Sequence, residues 1–238
     1  MKKLLLSAFV ICLAGTSIAQ ESPLWMRHCA LSPDGTTIAF TYKGDIYTVP
    51  STGGRATQIT TNPAFDTEPV WSPDSKQIAF ASDRMGSLDV FVVSSEGGAP
   101  QRLTTHSGSE KPVAYKDNKH ILFTANIAPS AEDAGFPSGQ FQQVYEVPVT
   151  GGRPTMFSSM PMECISINKE GVMLYQDKKG YEDYWRKHQV SPIARDIWTY
   201  TPGKAPIYQK QTTFGGEDRE PVRSPDGQSF YYLSEEKG

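Results

Sequence analysis

Apolar residues return two positions apart at intervals along the chain: Ile38 and Phe40, Ile78 and Phe80, Ile121 and Phe123, Val172 and Leu174, Phe230 and Tyr232. That spacing puts both side chains on one face of a strand. Each pair stands six and eight residues after the start of a turn-like phrase. The phrase is clear in Ser32-Pro33-Asp34-Gly35, Ser72-Pro73-Asp74-Ser75 and Ser224-Pro225-Asp226-Gly227. It is weaker in Tyr115-Lys116-Asp117-Asn118 and Ser166-Ile167-Asn168-Lys169. Five copies with apolar residues at both offsets make an internal repeat.

Each unit predicts four strands. A short apolar run (Cys29 to Leu31, Val70-Trp71, Val113 to Tyr115) leads into the turn. There Pro presets φ, Asp bonds nearby backbone and Gly accepts a positive φ. The strand carrying the apolar pair follows. A third strand begins at Asp45, Asp89, Val144 or Asp196. A Gly-Gly pair (Gly53-Gly54, Gly97-Gly98, Gly151-Gly152) then suits a tight hairpin into a fourth strand near Gln58-Ile59-Thr60 or Arg102-Leu103-Thr104.

The units start at 32, 72, 115, 166 and 224, in steps of 40, 43, 51 and 58 residues. Four-stranded repeats of about 40 residues or more predict an all-β fold of β-propeller blades, whose sheets are covered only by their neighbours. The blades are expected at 28–61, 68–105, 112–159 and 163–214, with an incomplete one at 221–238. Units three and four carry insertions, Ala128 to Gln140 and Lys178 to Pro192. The fifth unit stops after its second strand, so the chain is expected to be the amino-terminal part of a longer protein and 20–238 a partial propeller.

Residues 1–19 read as a secretory signal peptide: Lys2 and Lys3, an apolar run from Leu4 to Ala14, then Ser17-Ile18-Ala19. Cleavage there would take the formal charge from −3 to −5 by removing the two lysines. An exported, mildly acidic chain gives no electrostatic reason to expect nucleic acid, and no membrane span is expected after cleavage. The expected location is the periplasm. Cys29 and Cys164 remain, and buried free thiols are the favoured reading over a disulfide.

Particular phrases resemble the WD40-like PD40 repeats of TolB-type and tricorn-type propellers. They are Trp71-Ser72-Pro73-Asp74, the run Ile78 to Arg84, and Gly97-Gly98 followed by Arg102-Leu103-Thr104. Other runs resemble the exported tricorn protease homologues of Bacteroidetes-like bacteria: Tyr42 to Pro50, Asp177 to Asp183, Trp185-Arg186-Lys187-His188 and Arg195-Asp196-Ile197-Trp198. The resemblance covers essentially the whole mature chain. It implies a propeller leading into a second propeller, a PDZ domain and an S41-type serine-peptidase core. The parent would be a homo-oligomer that handles peptides or unfolded segments, with this propeller as a gate or filter guiding them towards or away from an enclosed active site. A TolB-like binding propeller and the cap of a prolyl-oligopeptidase-like hydrolase are the alternatives.

No catalytic residue is expected within this segment, since no Gly-x-Ser-x-Gly elbow occurs. No cofactor and no metal are expected either. The recurring Asp34, Asp74, Asp117 and Asp226 stand one per blade and read as turn formers rather than ion ligands. His28, His106, His120 and His188 lack metal-ligand spacing. The turns predict one plain face. The insertions and the acidic connections Asp66-Thr67-Glu68, Ser109-Glu110 and Glu217 to Glu220 share the other. Tyr181, Tyr184, Trp185, Arg186 and His188 on that face are the candidate peptide- or partner-contacting residues.

Overall fold

The computed structural model describes residues 25–127, 141–180, 190–224 and 227–237. Among them are strands and turns and no helix, in four antiparallel four-stranded sheets and a hairpin. The fold is a β-propeller arc, as the repeat predicts. Blade one holds β1 (Arg27–Leu31), β2 (Thr37–Tyr42), β3 (Asp45–Pro50) and β4 (Thr57–Gln58). Blade two holds β5 (Asp66–Trp71), β6 (Gln77–Ser82), β7 (Asp89–Ser94) and β8 (Gln101–Arg102). Blade three holds β9 (Lys111–Asp117), β10 (His120–Ala125), β11 (Gln143–Pro148) and β12 (Thr155–Ser158). Blade four holds β13 (Met162–Ile167), β14 (Met173–Asp177), β15 (Ile197–Thr201) and β16 (Ile207–Lys210). The hairpin is β17 (Asp218–Arg223) and β18 (Phe230–Ser234). The first strand of each unit lies beside that of the next and lines the inside of the arc.

The period-two pattern builds the core between blades. Ile78 and Phe80 face Ala39, Ile46 and Ile59 of blade one. Their neighbour Ala79 faces Tyr115, Ile121 and Phe123 of blade three. Register brings aromatic pairs of one sheet together: Phe40 with Tyr47 at 5.9 Å, Phe80 with Phe91 at 5.9 Å, Phe123 with Tyr145 at 5.7 Å. Small residues on one sheet thus receive rings from the next, which keeps the interface dense.

Blade four departs from the expected alignment by one residue. Its turn is built on Asn168, whose carbonyl accepts from Gly171 N at 3.0 Å, as the Ser72 carbonyl does from Ser75 N at 2.9 Å. Leu174 pairs with Ser166 as Ala79 pairs with Val70, so Met173 and Tyr175 occupy the places of Ile78 and Phe80. A shift of one residue turns every side chain to the other face, and burial of Met173 and Tyr175 against blade three sets this register. The glycine pairs also differ from expectation. The β3–β4 connection spans residues 51–56 and opens with a turn in which Gly53 N donates to the Pro50 carbonyl at 2.8 Å. Gly53 and Gly54 have φ of 87° and 125°, which only glycine adopts without strain.

The Ser-Pro-Asp phrase is a closed hydrogen-bond knot. Ser72 is buried, donates its hydroxyl to Asp74 Oδ1 at 2.7 Å and accepts from Gln77 N at 2.9 Å. Ser32 repeats this with Asp34 and Thr37. The serine bond is the leading reason that the Asp34 and Asp74 carboxyls lie below their usual range. Asp117 accepts from Lys119 N at 2.7 Å. These three acids are turn formers; Asp226 lies outside the described residues. The fourth turn position ties blades together, since Asp34 N donates to Ser75 Oγ at 3.3 Å and Asp74 N to Asn118 Oδ1 at 3.1 Å. Ser72→Ala is expected to cost about 1–3 kcal/mol, because it leaves a buried amide and the Asp74 carboxylate short of a partner. Denaturant unfolding checks this, and a loss under about 0.5 kcal/mol would remove the knot from the account.

Candidate functional site: the loop face

The turns and the glycine-bearing connections gather at one face of the arc. The opposite face takes the connections from the second to the third strand of each blade and from each blade to the next. In blade one the former is only Lys43-Gly44. In blades three and four it spans 126–142 and 178–196, and the described ends of both connections lie at this face. Tyr181, Tyr184, Trp185, Arg186 and His188 lie outside the described residues, as does the segment 1–19 expected to be a signal peptide.

The base of the blade-four insertion is described and is an ion network. Glu163 of β13 accepts from Lys178 Nζ at 2.8 Å, Gln176 Nε2 at 2.9 Å and Arg195 Nε at 3.3 Å. Burial works to raise the Glu163 pKa, and the bonds from Lys178 and Gln176 outweigh it, holding the carboxyl below its usual range. Arg195 also pairs with Glu217, and Lys179 with Asp196 and the Ala194 carbonyl. Lys178 and Arg195, on opposite sides of the excursion, therefore meet on one carboxylate.

The acidic connections are joints between blades rather than solvated loops. Asp66, Glu110 and Asp218 are buried at the entries to β5, β9 and β17. Each donates its N–H to a carbonyl of the preceding blade: Asp66 to Gly44 and Glu110 to Leu88 at 2.7 Å, Asp218 to Arg195 at 3.1 Å. A threonine after the outer strand caps the first amide of the third strand's apolar run. Thr60 Oγ1 accepts from Ile46 N at 3.0 Å, Thr104 from Val90 N at 2.9 Å and Thr212 from Ile197 N at 3.2 Å. Each of these joints also sets a second acid at the head of the third strand: Asp45, Asp89 and Asp196.

Cations meet these acids unequally. Arg84 Nη2 bonds both Asp66 oxygens at 2.9 Å. Arg102 stands 2.8 Å from Asp89, and Lys179 and Lys210 both pair with Asp196. Sequence reasoning missed this role for Arg84, Arg102 and Lys179. The recurring signal was an acid at the entry to β5, β9 and β17 together with a threonine after β4, β8 and β16.

His28 is exposed in the bulge of β1 with φ of 51°, His106 accepts from Gly108 N at 3.0 Å, and His120 pairs with Asp117 at 3.0 Å. His188 lies outside the described residues. No group of three or more His, Cys, Asp or Glu among the described residues could hold a metal ion. Cys29 and Cys164 are free, and both are exposed rather than buried. They sit at bulges on the inner strands, where the local kink turns a side chain out of the core. Protein around the Cys164 thiol, with Glu163 and Glu220, still pushes its pKa up to about 11.

Residues 23–238 match the family model described as the tricorn protease N-terminal beta propeller domain. The chain is 39% identical over 168 residues to Tricorn protease homolog 1 of Streptomyces coelicolor, an alignment covering 70% of this chain and 15% of that protein. It is 32% identical over 108 residues to the uncharacterized peptidase YuxL of Bacillus subtilis, covering 40% of this chain and 16% of that one. The chain thus spans about a sixth of the length of these two relatives. Among solved structures it is similar to the tricorn protease, with TM-score 0.64 and 16% identity over 89% of this chain and 22% of that chain. It is also similar to a putative TolB from Agrobacterium tumefaciens, with TM-score 0.56 and 21% identity over 87% of this chain and 75% of that chain. At these identities the solved structures speak for the fold.

Proposed function

The chain belongs to the family of tricorn protease N-terminal β-propeller domains, and from that premise we propose that it is the peptide-guiding, partner-docking propeller of an exported serine peptidase of the S41 type. In this reading the signal peptide sends the protein to the periplasm. The full-length protein assembles as a homo-oligomer, and the catalytic serine lies outside this segment. The supporting observation is the asymmetry of the two faces. One carries turns locked by Ser-Pro-Asp knots, while the other carries the long connections of blades three and four on a charged base of Glu163, Lys178, Arg195 and Glu217. A rigid scaffold with variable connections on one face is how propellers present binding residues.

The test is alanine substitution of Tyr184, Trp185 and Arg186 together in the complete protein. The expected result is a several-fold fall in turnover of long peptides or loss of assembly, with turnover of a short chromogenic peptide retained. Unchanged long-peptide turnover and assembly would refute the role of this face. A complete protein with no peptidase activity at all would leave a binding propeller instead.

A further inference from the structure

Between blades two and three, two carboxyls are buried and, among the described residues, only one of them, Asp89, meets a cation. Asp89 heads β7 and is fully buried; Glu110 precedes β9 and is 1% exposed. None of their four oxygens meets a donor with hydrogen-bond geometry, although Arg102 Nη2 lies 2.8 Å from Asp89 Oδ2. The other joints are built differently. In the first, Arg84 holds Asp66, while Asp45 is half-buried and accepts from Gln58 at 3.0 Å. In the fourth, Lys179 and Lys210 both pair with Asp196, and the Asp218 carboxyl is buried with no hydrogen-bond partner of its own among the described residues. The joint into blade four has Met162 where the others have an acid.

With Arg102 engaged by Asp89, an ionised Glu110 would leave an uncompensated buried negative charge, which costs far more than taking up a proton. We propose that the buried Glu110 carboxyl, set against Asp89, holds a proton while the joint is closed, and that its loss to solvent loosens the joint between blades two and three. The groups facing Glu110 from blade two are Asp89, the Thr104 hydroxyl and the backbone of His106, while Arg102 is engaged by Asp89. The next residue, Lys111, is engaged by Glu68 of β5 at 2.6 Å. Burial, opposed by the Thr104 hydroxyl and reinforced by the Asp89 carboxylate, pushes the Glu110 pKa up to about 7.

The sign follows from that direction. A carboxyl whose pKa is raised when the joint is closed stabilises the closed form fully below the ordinary value of 4.5, and loses that contribution as pH rises through about 7. Opening of the joint should then rise about tenfold between pH 6 and pH 8.

Amide hydrogen exchange on the full chain, corrected for intrinsic rates, reads this at Glu110 N, which bonds the Leu88 carbonyl at 2.7 Å. The amide of Asp66 in the first joint serves as reference. The expected result is a rise of about tenfold at Glu110 and none at Asp66. Glu110→Gln should abolish the rise. Asp89→Asn should shrink the rise by removing the facing carboxylate, and it stands in if the first variant does not fold. Equal opening at both pH values in the wild type, or an undiminished rise in a folded variant, would overturn the proposal.

Discussion

Replacing Arg84 with alanine is expected to destabilise the protein by about 3–5 kcal/mol, the range for breaking a buried ion pair from one side. The Asp66 side chain is fully buried and that of Arg84 is 11% exposed. Removing the guanidinium strands a carboxylate that water cannot reach. Arg84 also donates Nε to Ser82 Oγ at 2.8 Å and lies over the Phe91 ring at 4.5 Å. It therefore joins the second and third strands of blade two to the first. Adding Asp66→Asn to Arg84→Ala should recover most of the loss, because the stranded charge is gone. Equilibrium unfolding of the wild type, the single variant and the double variant decides it. A single-variant cost under about 1 kcal/mol, typical of a surface pair, would show that Asp66 is solvated when Arg84 is absent.

Trp71→Ala is expected to cost about 3–5 kcal/mol, as for other large-to-small changes in a core. The indole is 7% exposed, packs between blades one and two, and donates Nε1–H to the Ala30 carbonyl at 3.0 Å. Its loss opens a cavity where blade one is held to blade two. Trp71→Phe keeps most of the apolar volume and should lose about 1–2 kcal/mol for the missing hydrogen bond and smaller ring. Pulse proteolysis of β1–β4 should follow the same order. Equal effects of the two substitutions would mean that the hydrogen bond, not the packing, carries the contact.

What could be read from the chain in advance rested on local rules. The Ser-Pro-Asp phrase builds its knot from residues within five positions of one another, so it reads the same in a line as in space. Ile78-Ala79-Phe80-Ala81 alternates because a strand must, and the alternation repeated in five units required blades. The register of blade four escaped this reasoning. Val172 and Leu174 fit the apolar pattern as well as Met173 and Tyr175 do, and one deleted turn residue exchanges the pairs. Burial against blade three decides between them.

The candidate face divides along the same line. That the connections carrying the insertions leave and re-enter their blades opposite the turns followed from strand order alone. Where the acids of that face point did not. Asp66-Thr67-Glu68 and Ser109-Glu110 look like polar loops, yet Asp66 and Glu110 are buried while Glu68 reaches Lys111. Sequence by itself determined the repeat, the turn chemistry and the alternating core, since each depends on neighbours a few residues away. Tertiary structure alone decided which acids lose their water, which arginine meets which carboxylate and which joint is short of a cation. Those outcomes depend on the electrostatics of two blades brought together from positions tens of residues apart.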